Sequence, residues 1–161
     1  VVPRGEIGEL CTRGYSVMLG YWNNEEATKK SVRQGWMHTE DLAIMDEEGY
    51  ISIVGRSKDM VIRGGENIYP IEIENELLEH ESVKEVAAIG LPHERLGEEV
   101  IAVVTLHAGT ELTESELVDF AKARLAAYKV PSRVFFWDQP LPRNATNKIL
   151  KRDIKEALLS A

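Results

Sequence analysis

Gly55-Arg56-Ser57-Lys58-Asp59-Met60-Val61-Ile62-Arg63-Gly64-Gly65-Glu66-Asn67-Ile68-Tyr69-Pro70 is the stretch on which the reading of this chain turns. Met60-Val61-Ile62 is an apolar run of strand length. Arg63-Gly64-Gly65-Glu66 follows as a turn, and paired glycines suit a turn that needs positive φ. Pro70 sits where a first helical residue belongs, since its fixed φ and missing N–H cost nothing there. Ile73, Leu77 and Leu78 follow at i, i+4 and i+5, so an amphipathic helix is expected over residues 70–80. Gly55–Lys58 separates this strand–turn–helix unit from a β-rich first third. A domain boundary is therefore expected there, giving residues 1–57 and 58–161.

Downstream, two strands are expected at about 83–90 and 98–106. Thr113-Glu114-Ser115-Glu116 is a capping box ahead of Leu117, Ala121 and Leu125. Val134–Trp137 reads as a short strand and residues 151–159 as a terminal helix. The order from residue 59 onward is strand, helix, strand, strand, helix, strand, helix, a compact α+β domain with a short sheet flanked by helices. Upstream, Glu6–Thr12 alternates as a half-buried strand does. Asn23-Asn24 caps a short helix that begins with two acids. Asp46–Gly49 is a turn into the strand Tyr50–Val54.

Composition sets the outer limits. The chain has 161 residues, 43% hydrophobic and 29% charged, the balance of a globular protein. Its longest purely apolar run, Val100–Val104, fits a buried strand and falls far short of the ~20 residues of a membrane span. No basic-then-apolar leader precedes it. The chain opens on Val1 rather than Met, which suggests a piece of something longer, whereas the closing Leu-Leu-Ser-Ala reads as a true terminus. Nineteen Lys and Arg stand against 27 Asp and Glu, for a net charge of −8, and acids are in excess on both sides of the boundary. That argues against a general nucleic-acid or anionic-membrane binder, which needs a cationic surplus. Cys11 is the single cysteine, so an internal disulfide and a multi-cysteine zinc site are excluded. His38, His80, His93 and His107 show no metal-ligand spacing, and no metal ligand is assigned. A reducing, cytoplasmic setting is expected.

Three polar clusters carry potential chemistry. In Gly35-Trp36-Met37-His38-Thr39-Glu40-Asp41, a carboxylate after a Gly-Trp turn suits a ribose diol; a turn with an ion-paired or capping Asp is the plainer reading. In residues 55–70, three cations fall within eight residues around small-residue turns. Arginine offers a planar fork to phosphate or ribose oxygens, and the plainer alternative is a charged hairpin connection. Pro142-Arg143-Asn144-Ala145-Thr146-Asn147-Lys148-Ile149-Leu150-Lys151 places Lys148 at a polar loop tip ahead of a helix. That is either a mobile point charge for a cleft or an ordinary surface lysine.

Taken together and in this order, the three clusters resemble the adenylate-forming superfamily of acyl-CoA synthetases, luciferases and peptide-synthetase adenylation domains. Gly8-Glu9-Leu10, Gly14, Met18, Gly20-Tyr21-Trp22 and Glu26-Ala27-Thr28 extend the resemblance over nearly the whole chain. The wording GRSKDMVIRGGENIYPIEIE is most similar to medium- or long-chain fatty acyl-CoA ligases. The resemblance implies that residues 1–57 are the β-rich end of a large AMP-binding N-terminal domain and residues 58–161 a whole C-terminal domain. It implies that Asp41 holds the ribose hydroxyls of ATP and acyl-adenylate, that Arg56 contacts the same region, and that Lys58, exposed and conformationally free, is a hinge for domain alternation. Gly64, Gly65 and Glu66 would line the pantetheine tunnel for CoA, Arg95 would meet a CoA phosphate, and Lys148 would serve adenylation.

The implied reaction joins a fatty acid, ATP and CoA into acyl-CoA, AMP and pyrophosphate through an acyl-adenylate. Mg²⁺ is implied with its ligands in sequence this chain lacks, as are the phosphate-binding loop and acyl pocket, so the chain by itself is expected not to turn over. An adenylation domain serving a carrier protein, and a non-catalytic binding module, are the competing readings. Two positions depart from the pattern. Glu40 stands where the family has Gly in Thr-Gly-Asp, adding charge and opposing positive φ, and Asn147 replaces a commoner Gly before the lysine.

Overall fold

The computed structural model describes residues 1–160. The chain divides into two compact units, Val1–Lys58 and Asp59–Ala161. Ala161, the last residue of the expected terminus, lies outside the described residues.

The first unit is a four-stranded antiparallel sheet built around one long strand. β1 (Ile7–Thr12) runs along one edge of β3 (Trp36–Met45). The opposite edge of β3 is shared by β2 (Val32–Arg33) near its start and β4 (Ile51–Arg56) near its end. The one helix among its described residues is α1 (Glu25–Ser31). Asn24 caps it as expected, its side chain accepting the Ala27 N–H at 2.9 Å. Trp36, read from sequence as part of a Gly-Trp turn, is the first residue of β3. Ala43 is the unit's one buried apolar side chain, while Tyr15, Leu19, Trp22 and Tyr50 stand largely exposed.

The second unit is a sheet packed on both faces. β7 (Val83–His93) and β8 (Gly97–Leu106) form a long hairpin. The far edge of β8 takes β5 (Val61–Arg63) at Gly97 and β9 (Arg133–Phe136), in parallel, at Ile101–Val104. β6 (Glu66–Ile68) pairs with β5 and completes the five strands. Side-chain alternation deals the apolar residues to two faces. Val86, Ala88, Val100, Ala102 and Val104 pack with Ile73 and Leu77 of α2 (Pro70–Leu78) and with Leu117 and Ala121 of α3 (Glu114–Lys122). Ala87, Ile89, Ile101 and Val103 pack with Leu141 and with Ile154 of α4 (Lys151–Ser160). The layers are helices, sheet and helix, an α+β domain as expected.

Local rules explain where α2 and α3 begin. Pro70 is the first residue of α2. Thr113 and Glu116 close the capping box, with the Glu116 carboxylate accepting the Thr113 N–H at 2.8 Å. Those bonds hold the Glu116 carboxyl below its usual range. Three expectations need correction. Leu78 is not on the buried face of α2 but nearly half exposed, because at i+5 from Ile73 it has turned well past that face. Leu125 is buried beyond the end of α3, not within it. β6, three residues after a tight turn, replaces the expected direct passage from turn to helix.

Candidate functional site

Asp41 and Arg56 face each other as direct partners across β3 and β4. Arg56 Nε lies 2.9 Å from Asp41 Oδ1, with both side chains partly open to solvent. What aims Asp41 is a bulge. Between Glu9 and Cys11 the β1–β3 register jumps from Leu42 to His38, so Thr39-Glu40-Asp41 stands opposite Leu10 alone and β3 carries two residues of extra length, the device by which strands re-aim a side chain. Thr39 Oγ1 donates to the Leu10 carbonyl at 2.7 Å and accepts the Asp41 N–H at 3.1 Å. The centre of the bulge is Glu40 at φ +62°. The expectation that Glu40 opposes positive φ is therefore corrected: the residue adopts the left-handed conformation despite its Cβ.

Glu40 is tied at three points. Its N–H donates to Glu9 Oε1 at 3.2 Å, its carbonyl accepts the Ser57 N–H at 2.9 Å, and its carboxylate lies 2.5 Å from Lys58 Nζ. Lys58 is exposed, and its ammonium pairs with the Glu40 carboxylate. Glu9 is the residue that sequence reasoning passed over. One oxygen supports the bulge backbone, and the other meets His38 Nδ1 at 2.7 Å. The His38 contact, with help from the Glu40 N–H and Arg33, outweighs burial and lowers the Glu9 carboxyl from its ordinary range.

In the second unit Gly64 and Gly65, at φ +60° and +92°, form the two-residue turn between β5 and β6. Both central residues need positive φ in such a turn. A Cβ on Gly65 would meet open space, so conformation, not crowding, calls for glycine there. The Gly64 N–H donates to the Leu96 carbonyl at 2.8 Å, and Arg63 pairs with Gly97. The Gly64-Gly65-Glu66 turn and Arg95, in the β7–β8 connection, are thereby brought to the same end of the sheet. Arg63 runs inward to the Tyr128 carbonyl at 2.7 Å.

Lys148 belongs to a separate loop, organised by Asn144. The Asn144 side chain accepts the N–H groups of Thr146 and Lys148 at 3.0 and 2.9 Å, and its backbone N–H donates to the Lys148 carbonyl at 3.0 Å. Asn147 turns the loop at φ +64°, a conformation asparagine tolerates better than most residues. Arg143 anchors the loop to Glu85 of β7 at 2.6 Å. Glu85 also accepts the Leu141 N–H and the Thr105 hydroxyl. Burial raises the Glu85 carboxyl, but these donors outweigh it and the net shift is downward. The Lys148 side chain is exposed, and its ammonium has no hydrogen-bond or ion-pair partner among the described residues. Its anchor Glu85 and the turn at Arg95 lie toward opposite ends of β7, about 25 Å apart at the rise of a strand.

The residues also bear on Mg²⁺. Among the described residues, the one group of three potential ligands whose donor atoms converge is Glu9, Cys11 and His38. A thiol and an imidazole do not make the all-oxygen shell that Mg²⁺ takes. The residues present do not fit that ion, and no step is assigned to it.

A sheet with helices on both faces, a glycine turn at one end and an unpaired lysine on a capped loop defines a C-terminal domain of AMP-binding enzymes: the model of that family matches residues 72–148. Residues 72–148 thus belong to the AMP-binding enzyme C-terminal domain family. It is 46% identical over 155 residues to a long-chain-fatty-acid–CoA ligase of Escherichia coli O6:H1, covering 96% of this chain and 27% of that protein. It is 47% identical to a feruloyl-CoA synthase of Amycolatopsis, covering 96% of this chain and 31% of the relative. The crystal structure of ATP-bound MatB from Rhodopseudomonas palustris matches with a TM-score of 0.89 at 42% identity, over 97% of this chain and 31% of that one. The chain thus spans between a quarter and a third of the length of the curated relatives it matches. No helix among the described residues is long and apolar enough to cross a membrane.

Proposed function

We propose that the chain is the C-terminal part of an ATP-dependent acyl-CoA ligase, acting in the cytoplasm on a medium- or long-chain fatty acid. Lys148 carries this reading: it is a cation without a partner, presented by a loop whose every turn is fixed by hydrogen bonds. Carboxylate and phosphate repel each other, and negative charge grows on the α-phosphate as the adenylate forms. A lysine reaching both anions lowers that barrier, and one such preorganised donor is typically worth about 2–4 kcal/mol. Asp41 accepts hydrogen bonds from the ribose hydroxyls, and Arg56, beside it, neutralises the carboxylate and reaches toward the phosphate.

Thioester formation needs a different surface. The Gly64-Gly65-Glu66 turn presents little but backbone, which suits the close passage of a pantetheine arm, and Arg95 at the same sheet end meets a CoA phosphate. Lys148 and this turn are held apart on one rigid sheet, so they cannot serve a single reacting centre at once. An exchange of the two faces about Lys58, where the chain passes from one unit to the other, supplies each in turn. The exposed apolar side chains of Val1–Lys58 support the view that this unit is the end of a larger domain that carries the acyl pocket.

The test is made in the full-length enzyme that contains this chain. Lys148→Ala should cut adenylation, read as pyrophosphate exchange, by about 10²–10³-fold, and leave thioester formation from supplied acyl-adenylate within a factor of a few. Gly64→Val should show the reverse. Equal loss of both half-reactions in either variant sinks the assignment. A panel of fatty, aryl and amino acids decides the acyl group, and preference for a non-fatty acid overturns that part alone.

A further inference from the structure

We propose that Glu9, Cys11 and His38 form a binding site for one borderline-soft divalent transition-metal ion of the Zn²⁺ class. Glu9 Oε2, Cys11 Sγ and His38 Nδ1 are the protein ligands, and a solvent molecule completes the shell. The three donor atoms lie within 4.8 Å of one another. His38 Nδ1 is 2.7 Å from Glu9 Oε2 and 3.4 Å from Cys11 Sγ. A tetrahedral ion with bonds of about 2.0–2.3 Å spaces its ligands roughly 3.3–3.7 Å apart. Seating one therefore requires the carboxylate and ring to part by roughly half an ångström.

The donors stand on strands rather than loops. Cys11 and His38 are direct partners across β1 and β3, and Glu9, two residues from Cys11, points to the same face. That placement preorganises the site. Glu9 Oε1 is already held by the Glu40 N–H, the kind of outer contact that fixes a ligating carboxylate. All three residues line a cleft of about 800 Å³ in the first unit, so an ion can reach them. A thiolate, an imidazole and a carboxylate together select Zn²⁺ or Co²⁺ over Mg²⁺ or Ca²⁺. The opposing charge is Arg33, 3.9 Å from Glu9 Oε2 and more than half exposed. It can turn outward as the ion enters.

Co²⁺ titration of the reduced full-length enzyme that contains this chain, read as the difference from its Cys11→Ser variant, reports the site, because a cobalt–thiolate bond gives a charge-transfer band that oxygen and nitrogen ligands do not. One equivalent of Co²⁺ should saturate the band, and Zn²⁺ should bleach it. Cys11→Ser should abolish it, and His38→Gln should weaken Co²⁺ binding at least tenfold. No saturable band, or a band with unchanged affinity in His38→Gln, overturns the proposal. Should either variant lose its fold, the unaltered full-length enzyme decides. Zn²⁺ should slow alkylation of Cys11 and shift the His38 ring resonances, with Mg²⁺ doing neither. Alkylation and resonances unmoved by Zn²⁺ contradict the site.

Discussion

The two units of this chain are made by opposite rules. In Asp59–Ala161, β7 and β8 carry apolar residues on both faces, and helices cover each face. In Val1–Lys58 the strands also pair into a sheet, yet Ala43 is the one buried apolar side chain. Its strands hold together through ladder hydrogen bonds and polar ties such as Glu9–His38 and Asp41–Arg56, while its aromatic residues face outward. Hydrogen-bonded sheets gain little net stability without burial, so the comparison teaches that regular structure and self-sufficiency are separate properties. The lysine and glycine loops assigned to the two half-reactions both sit on the self-sufficient unit, which is what a part that moves as a body requires.

Core truncation should expose the contrast most strongly. Ile101→Ala, at a fully buried position of β8, should cost about 2–5 kcal/mol in urea unfolding of the chain. Ile53→Ala, at a half-exposed position of β4, should stay within about 0.5 kcal/mol. Comparable losses at the two positions would mean that the first unit shares the core's cooperativity.

Backbone strain sharpens the same comparison at smaller scale. Glu40 in the first unit and Asn147 in the second hold nearly the same positive φ. A left-handed residue with a Cβ costs about 1–2 kcal/mol, against roughly 0.5–1 for the added freedom of glycine. Glu40→Gly should therefore steady the bulge by about 0.5–1 kcal/mol, seen as two- to fivefold slower amide exchange at Asp41 and Leu42. Asn147→Gly should leave exchange in its loop nearly unchanged, because asparagine already tolerates that conformation. Faster exchange in Glu40→Gly would show that the Lys58 ion pair outweighs the strain.

Legibility follows the same division. Pro70, the spacing of Ile73 and Leu77, the Thr113–Glu116 capping box and the continuous apolar runs of β7 and β8 are local signals, and the second unit forms where they point. β3 was hidden because its bulge breaks the period of two in Trp36–Met45, and β6 because three residues carry no period at all. Asp41, Arg56, Gly64 and Lys148 stand out by their motifs. Glu9 and Glu85, which prop the Asp41 bulge and the Lys148 loop, do not, since their roles depend on partners 29 and 58 residues away. The convergence of Glu9, Cys11 and His38 was likewise invisible to a search by spacing, because strand register rather than sequence distance brings them together.

Excision measures the central contrast most directly. Residues 59–161 and residues 1–58 are expressed separately and unfolded in urea, with amide exchange as a second probe. Residues 59–161 should unfold in one cooperative step with a slope of about 1 kcal/mol/M, as a domain of that size does, and residues 1–58 should show no cooperative transition. A cooperative transition in residues 1–58, or its absence in residues 59–161, would contradict the account.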